Sequence, residues 1–465
     1  MQDTWRVTTR LTVTPGLRYD LFTNPVERDN RQSDFVPGPG GFTGLGNVGT
    51  VALAGQNGVS SGILQTQSRN FSPRVGFAYR LGEKTVMRGA YGLFYFDEQG
   101  TGSSARLFIN YPDTLTNSTN CSATVPCLNT STGIPTTAGV NNLPQVVYLP
   151  ISNATSNVQQ WNYTLERQMS STLVVRGSYV GSHGNNLNIA YNPDTAYPGP
   201  GPVAPRQPYA AYSSISGWSP IGISNYDALQ LSAENRMGSS LYVLAAYTYS
   251  RSLDEGAGGN SSSGDPRNNI QDPRNIRADY GLSDFNYTQR LTDSTVYQLP
   301  VGRGRRFLAS DGAVADAVVG GWELTSILTL QSGAPFSLFL ANPTANTGTF
   351  TRPNRICNGN LSASQQSIHK WFDTSCFVSP PVYTFGNTGR NILIGPGLET
   401  WDFGLDKNFQ LNRRIGMQFR IETFNLLNHA NFGLPNGTIG APGAGTVTSV
   451  ITNARETQFA ARFHW

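Results

Sequence analysis

Apolar and polar side chains alternate with a period of two along many segments of this chain, and this alternation limits the folds available to it. In the segment 415–422 the apolar positions alternate with Gln418, Arg420 and Glu422. The segment 401–410 follows the same pattern with one exception, Lys407. A period of two is typical of β-strands, in which successive side chains point to opposite faces of a sheet. The pattern therefore predicts an all-β fold.

The lengths of the connections separate a barrel from a soluble sheet with one wet face, which shows the same alternation. Compact soluble domains rarely contain long polar connections, whereas bacterial barrels alternate short periplasmic turns with long extracellular loops. We therefore predict an antiparallel transmembrane β-barrel, in which one turn, 302–320, is unusually long. The other turns are 8–10, 82–84, 170–171, 237–239 and 412–414, and the long stretches are 23–70, 97–156, 184–222, 253–285 and 334–399.

The alternation predicts about thirteen strands. Single-chain bacterial barrels close with an even number of strands, so the odd count predicts that strands are missing. The N-terminal sequence reads as the middle of a strand and has no apolar signal segment, so we expect the missing strands upstream of Met1. The predicted strands are 2–7, 11–22, 71–81, 85–96, 157–169, 172–183, 224–236, 240–252, 286–299, 321–333, 400–411, 415–427 and 455–465.

The composition argues against two other classes of protein. No run of about 18 apolar residues is present, so the sequence predicts no membrane-spanning helix, and a membrane-spanning chain has to form a closed barrel. The formal net charge of +4 is too small and too dispersed to predict a nucleic-acid partner. Aromatic residues near predicted strand ends suggest girdles at the membrane interfaces, with ordinary sheet-core aromatics as the alternative. They are Phe94, Tyr95, Phe96, Trp161, Phe285, Tyr287, Trp322, Trp401 and Trp465.

Four cysteines form two close pairs in polar stretches, Cys121 with Cys127 and Cys357 with Cys376. Neither pair has the short CxxC spacing of zinc sites. Local disulfides in an oxidising envelope compartment are the favoured interpretation, with free thiols as the alternative.

An Asp-Pro-Arg-Asn sequence occurs twice, at 265–268 and 272–275, among several further acids. A loop rich in carboxylates and Asn could bind Ca²⁺, which takes about six to eight oxygen ligands. Because Arg267, Arg274 and Arg277 lie between these acids, we expect local ion pairs rather than an ion site.

Two weak signals for catalysis are outweighed by their context. The segment 58–62 matches the GxSxG pattern of hydrolases, but it lies in a Gly-rich stretch without the helix that the motif requires. The 4 histidines are widely scattered and lack the paired spacing of a catalytic metal site. We therefore expect no catalytic residue, no metal site and no cofactor.

A series of hairpin sequences runs in order along the whole chain and resembles the barrel of TonB-dependent receptors of the Oar-like type. The sequences are SPRVGFAYRL (72–81), TVMRGAYGLFY (85–95), QQWNYTLERQMSSTLVVRGSYVGSHGNNL (159–187), YDALQLSAENRM (226–237), DPRNIRADYGLSDFNYTQRL (272–291), GGWELTSILTLQSGAPFS (320–337), WDFGLDKNFQLNRRIGMQFRIETFNLLNHANFG (401–433) and ETQFAARFHW (456–465).

This resemblance implies a barrel of about 22 strands around an N-terminal plug, often preceded by a carboxypeptidase-regulatory-like β-sandwich. A TonB box couples the plug to the proton-motive force. We expect residues 1–465 to be the C-terminal portion of such a barrel, with the plug and about nine strands outside this chain. The implied location is the outer membrane of a Gram-negative bacterium. The implied partners are outer-membrane lipid, the plug, TonB, the barrel-assembly machinery and an unidentified extracellular ligand.

The implied function is import of that ligand, which binds on the long loops; a non-transporting scaffold or adhesin is the alternative. Polar residues on one face of the strands are expected to line the lumen, where they contact the plug or simply face water: Arg18, Arg88, Arg176, Glu234, Arg420, Glu422 and Arg462. The alternating aromatics Phe459, Phe463 and Trp465 resemble the C-terminal signal read by the barrel-assembly machinery, and they also suit lipid-facing positions.

Overall fold

The structure, a computed structural model, is dominated by a single large sheet. Among the residues that it describes, no helix is long and apolar enough to cross a membrane. It describes residues 2–97, 107–108, 110–114, 143–152, 154–238, 240–256, 270–308, 312–410 and 415–464.

Thirteen strands form the continuous path of this sheet, and each strand pairs with its neighbours in sequence order. Every pairing along the path is antiparallel, so the predicted all-β, antiparallel fold is confirmed. The strands are β1 Trp5–Arg6, β2 Leu11–Phe22, β3 Gln67–Arg80, β4 Thr85–Tyr95, β5 Asn157–Gln168, β6 Leu173–Tyr191, β7 Ser214–Met237, β8 Leu241–Asp254, β9 Gln289–Gln298, β10 Trp322–Gln331, β11 Leu398–Gln410, β12 Gly416–Phe424 and β13 Glu456–His464.

The register of neighbouring strands sorts their side chains onto two different faces. Between β7 and β8, Leu231 lies opposite Tyr247, and Glu234 lies opposite Leu244 on the other side of the sheet. Because side chains alternate, one face of the sheet collects Leu, Val, Tyr and Phe, and the other collects most of the charges. We call these the apolar face and the polar face.

The connections alternate in length between the two ends of the sheet, with one exception, the long turn between β9 and β10. Short connections close one end, and long loops project from the other, including a last loop, 425–455, between β12 and β13. Within the described residues, β1 pairs only with β2 and β13 only with β12, so the sheet has two free edges. Strand β13 runs from the long-loop end toward the short-turn end.

Two strands extend well beyond their predicted ends. The stretch 184–222 was predicted to be a loop, but β6 continues to Tyr191 and β7 begins at Ser214. About 9–11 residues are enough for a tilted strand to cross a bilayer, so the 19 residues of β6 and the 24 of β7 reach beyond a membrane. The prediction failed because Gly184 and the asparagines near it hide the alternation, while backbone pairing continues through two irregularities in register.

The described parts of the long loops are folded, whereas the sequence predicted only polar stretches. We call the described residues of the loops 23–66, 96–156 and 192–213 the first lobe, and those of the loops 255–288, 332–397 and 425–455 the second lobe. The first lobe has two small apolar cores, around Phe35 and around Leu149, and the second has one around Leu338. Short strands support them: Ser33–Val36, Thr50–Leu53, Gln145–Tyr148, Gly281–Leu282, Pro335–Phe336, Phe339–Leu340, Asn354–Arg355, Phe377–Val378, Leu393–Ile394 and Thr438–Ile439.

The long turn between β9 and β10 contains the helix α1, Ala313–Val319, and this helix explains the exceptional Lys407. Lys407 lies on the apolar face but is buried. Its Nζ donates to the backbone carbonyls of Val318, at 3.3 Å, and Gly320. The rings of Trp322 and Phe409 lie 5.2 and 5.1 Å from the same nitrogen. A cation is stabilised there because carbonyls at the end of a helix carry partial negative charge.

Candidate functional site

Charged side chains on the polar face form a ladder of ion pairs across four adjacent strands, β4 to β7. Glu166 accepts from Arg176 Nε at 2.7 Å and lies 3.4 Å from Arg88 Nη1. Arg176 also reaches Glu234 at 3.1 Å, and Arg236 contacts the same carboxylate at 2.8 Å. Three residues predicted for the lumen, Arg88, Arg176 and Glu234, are thus joined through Glu166, which the sequence reasoning missed.

A second group of charges lies on the polar face of β11 to β13. Arg420 lies opposite Asp406 in register and contacts it at 2.9 Å, and Glu422 is 3.4 Å from the same guanidinium. Gln458 donates to Glu422 at 2.6 Å. Asp406 is buried, although it was not among the predicted site residues. Its place in its own strand, in alternation with the apolar Phe403, Leu405 and Phe409, was the signal that it lies on the polar face.

The remaining predicted lumen residues stand apart from both groups. Arg18 pairs with Asp20 of its own strand at 2.7 Å, and Arg462 lies opposite Gln418. Phe94 departs from the predicted interfacial girdle, because it lies on the polar face with its ring 5.3 Å from the guanidinium carbon of Arg74. The girdle prediction failed there because closeness to a strand end does not say which face a ring occupies.

The second lobe is held to the end of β8 by a buried arginine, Arg390. Its Nε donates to the carbonyl of Asp279 at 3.0 Å, and its Nη2 donates to the carbonyl of Asp254 at 2.7 Å. The guanidinium also forms ion pairs with the carboxylates of Asp254 and, at 3.4 Å, Asp284. Arg390, a residue of the loop 332–397, therefore binds Asp254 at the end of β8 and two residues of the loop that follows β8, Asp279 and Asp284.

A second buried arginine, Arg352, pairs with Asp279 in the same lobe. Burial raises the pKa of Asp279 and lowers the pKa of Arg352, while the ion pair between them opposes both shifts. Gln271 accepts from the backbone N–H of Arg352 at 2.7 Å. Two loops that are distant in sequence are thus joined by a charged pair out of contact with water.

Among the described residues, the prediction that the acids around the Asp-Pro-Arg-Asn repeats pair locally is correct for one pair. Arg274 contacts Asp272 at 2.8 Å, but Asp254, Asp279 and Asp284 pair with the distant Arg352 and Arg390 instead. Local spacing could not indicate these partners, because they come from another loop. The repeat at 265–268 and Arg267 lie outside the described residues.

A disulfide joins Cys357 and Cys376 within the second lobe, with their Cα atoms 4.9 Å apart. Cys376 is buried in the apolar core that includes Phe372 and Phe377. The other predicted pair, Cys121 with Cys127, lies outside the described residues.

The first lobe buries two carboxyl groups without a basic partner among the described residues, Asp34 and Asp194. Asp34 accepts from the N–H of Leu149 at 3.0 Å, and burial raises the pKa of Asp34 well above its usual range. Asp194 accepts from the N–H of Tyr209 at 2.7 Å, and burial raises its pKa to about 7. Both carboxyl groups therefore favour the neutral form more than exposed acids do.

Three side chains bridge the two lobes into one surface above the sheet. Arg206 donates to the carbonyl of Asn346 at 2.7 Å, and the amide of Asn346 donates back to Gly199 at 2.9 Å. Arg274 donates to the carbonyl of Thr195 at 3.1 Å and stacks on Tyr197 at 4.2 Å. In the described part of the chain, no group of three or more His, Cys, Asp and Glu side chains is arranged to hold a metal ion.

The last strand carries the predicted terminal aromatics on the apolar face. Phe459 and Phe463 lie opposite Ile421 and Met417, and their side chains are 67% and 55% exposed. Trp465 lies outside the described residues.

A family model described as an outer membrane beta barrel domain matches residues 1–458. The chain belongs to this family. It is therefore an outer-membrane protein, and its apolar face has the composition that lipid requires of such a barrel. No curated protein matches the chain significantly.

Solved structures of outer-membrane receptors and transporters are similar to this outer-membrane barrel along its whole length. The siderophore receptor PiuA from Acinetobacter baumannii is 10% identical, with a TM-score of 0.44, and the match covers 100% of this chain and 42% of the receptor. The transporter YddB from Escherichia coli is 10% identical, with a TM-score of 0.46, and the match covers 99% of this chain and 52% of the transporter. A mutant of the ferric enterobactin receptor PfeA from Pseudomonas aeruginosa is 12% identical, with a TM-score of 0.47, and the match covers 100% of this chain and 44% of the receptor. The chain spans about half the length of these proteins, or less.

Proposed function

We propose that this chain is the C-terminal portion of the barrel of a TonB-dependent receptor of the Oar-like type. In the complete protein, a ligand binds on the folded loops and passes through the lumen when TonB acts on a plug domain. The observation that carries the proposal is the ladder from Arg88 to Arg236 on the polar face. Charges on the lipid side of a barrel are strongly destabilising, so this face is suited to a water-filled or plugged lumen.

The ladder and the group around Arg420 are suited to a plug that docks by charge. Arg88 and Arg236 lie at the two ends of the ladder, and their side chains are 53% and 69% exposed. Arg420 is 41% exposed and Glu422 is 30% exposed, so each retains surface for a further contact. We propose that these groups hold the plug by polar contacts that a pull from TonB can break.

Charge reversal in the natural full-length protein tests the plug contact. Arg420→Glu places a carboxylate beside Asp406 and Glu422, and we expect it to loosen the plug and expose it to protease. Asp406→Arg combined with Arg420→Glu restores the pair within the wall and serves as the folding control. Unchanged protection of the plug and unchanged uptake in Arg420→Glu and in Glu422→Arg would refute the proposed contact.

The reading frame upstream of Met1 separates import from the second candidate, a non-transporting scaffold or adhesin. That candidate is favoured by the large apolar side chains exposed on the loops, Val48, Ile356 and Val382, which are 80%, 64% and 68% exposed. Exposed apolar groups often mark surfaces that bind other proteins. A plug and a TonB box upstream support import. Their absence, with uptake unaffected by loss of TonB, favours the scaffold.

We also propose that β13 is read by the barrel-assembly machinery. A free edge strand with an apolar face can be paired by a strand of another sheet, and Phe459 and Phe463 supply that face. Replacement of both by Ser is expected to slow insertion in reconstituted assembly assays. Val450→Ser combined with Ile451→Ser, which changes two exposed apolar residues of the preceding loop, is the control and is expected to insert normally.

A further inference from the structure

The polar face contains a cavity of about 240 Å³ that the ion-pair ladder does not use. Its wall includes Arg74, Phe94, Gln160 and Asn162. Its floor consists of small residues on β3 and β4, among them Gly76. The cavity is thus formed by the sheet itself and does not depend on the loops.

The strand register explains why a cavity forms at this place. In one row across the sheet, Gly76 lies opposite Ala90, which lies opposite Asn162. In the next row, Arg74 lies opposite Gly92, which lies opposite Gln160. The first row therefore leaves space above Gly76 and Ala90 beside Asn162, whereas the ring of Phe94 covers Gly92 in the second row. A Cβ at Gly76 would find its nearest neighbour at 3.8 Å, so the floor has free space above it.

Arg74 enters this cavity without an ionic partner. No described residue forms an ion pair with it, and its Nε is buried without a hydrogen-bond acceptor. Its guanidinium carbon lies 5.3 Å from the centre of the Phe94 ring. Arg88 and Arg176, in contrast, contact carboxylates. A buried guanidinium donor without an acceptor is costly, and a carboxylate satisfies two of its N–H groups at once.

We propose that this cavity binds a small carboxylate attached to a flat apolar group. The carboxylate accepts from Arg74, and the amides of Gln160 and Asn162 supply further donors. The flat group lies beside Phe94, over Gly76 and Ala90. Ring faces and guanidinium planes both favour stacked, planar partners. The proposal concerns binding alone and does not depend on a plug, on TonB or on import.

Binding of 4-fluorobenzoate to the protein purified from outer membranes in detergent tests this proposal, with ¹⁹F NMR as the readout. We expect saturable binding that weakens with increasing chloride. Arg74→Gln is expected to reduce the affinity at least about tenfold, because the charge-assisted hydrogen bonds to the carboxylate are lost. Gly76→Val fills the floor and is expected to abolish binding while Arg74 remains. Neutral 4-fluorobenzamide is expected to show no more binding in the presence of the protein than in detergent micelles without protein.

Arg80→Gln is the matched control, because Arg80 lies on the same strand and face and donates to the carbonyl of Thr9 outside the cavity. Heat-modifiable migration on a detergent gel shows that each variant is folded. If Arg74→Gln fails to fold, Gly76→Val decides the question. Equal binding of the acid and the amide, or undiminished binding in the folded variants, overturns the proposal.

Discussion

The indole of Trp161 lies across the β5–β6 pair from Gly181 and covers the space where that glycine has no side chain. Aromatic side chains that cover cross-strand glycines stabilise sheets. A Cβ at Gly181 would overlap the indole, whereas one at Gly177 would meet Leu231 at an ordinary 3.5 Å. Gly181 therefore stabilises the sheet by leaving room for the indole of Trp161.

Substitution at this position is expected to destabilise the sheet. Gly181→Val forces Trp161 out of its position, and overpacking of this kind costs about 1–3 kcal/mol. The measurement is the free energy of unfolding in urea with the protein in lipid vesicles. Gly177→Val, on the same strand and face, is the control and is expected to change it much less. Equal effects of both substitutions would contradict the account.

Removal of Arg390 is expected to open the second lobe without unfolding the sheet. Arg390→Ala removes the guanidinium that forms the buried ion pair with Asp254, and loss of one partner of such a pair costs about 3–5 kcal/mol. Limited proteolysis on intact cells measures the result, with cleavage in 332–397 expected. Arg31→Ala, which removes pairs from an exposed guanidinium, is expected to have little effect. Protection of the loop in Arg390→Ala would refute this role.

Acid is expected to stabilise the first lobe. The pKa of Asp194 is raised to about 7 from 3.8, so the folded lobe binds a proton that the unfolded lobe releases between these values. Stability therefore falls as pH rises through this range, by at most about 1.4 kcal/mol per unit, and the loss is complete above about pH 7. Hydrogen exchange of the lobe at pH 5.5 and pH 8 measures this. Asp194→Asn is expected to reduce the difference, and an unchanged difference would contradict the assignment.

Loss of the disulfide between Cys357 and Cys376 is expected to loosen the second lobe. The bond closes a loop with a sequence separation of 19, and such a constraint contributes about 3 kcal/mol. Cys357→Ala combined with Cys376→Ala should increase protease cleavage near this segment as much as dithiothreitol does in the unaltered protein. Dithiothreitol should add nothing there to the double variant. A further increase would show that another bond controls the segment.

Strict alternation made the strands predictable from sequence. For example, the segment predicted as 415–427 forms β12, Gly416–Phe424. Alternating side chains with one apolar face also specify the register of a strand, because a slip by one residue would move every side chain to the other face. Alternation assigns a face but not a neighbour. It placed Arg176 and Glu234 correctly together on the polar face, yet the contact of Arg176 with Glu166, on the other neighbouring strand, emerged only from the register of β5 with β6.

The lobes could not be predicted because their contacts join residues far apart in sequence. Leu338 packs in one core with Ile439, and Arg390 pairs with Asp254. Neither contact leaves a local period. The segments involved are rich in Gly, Pro and Asn, and composition of that kind predicts turns without indicating which of them meet.

The central claim is that the chain spans the outer membrane with its polar face toward water, and cysteine accessibility along β7 tests it most directly. Leu229→Cys and Leu231→Cys lie on the apolar face, and Gln230→Cys and Ser232→Cys lie on the polar face. In intact outer membranes, with labelling of the unaltered protein subtracted, a small charged thiol reagent is expected to label the polar-face pair only. All four variants should be labelled after denaturation. Preferential labelling of the apolar-face pair, or equal labelling of both pairs in the membrane, would contradict the claim.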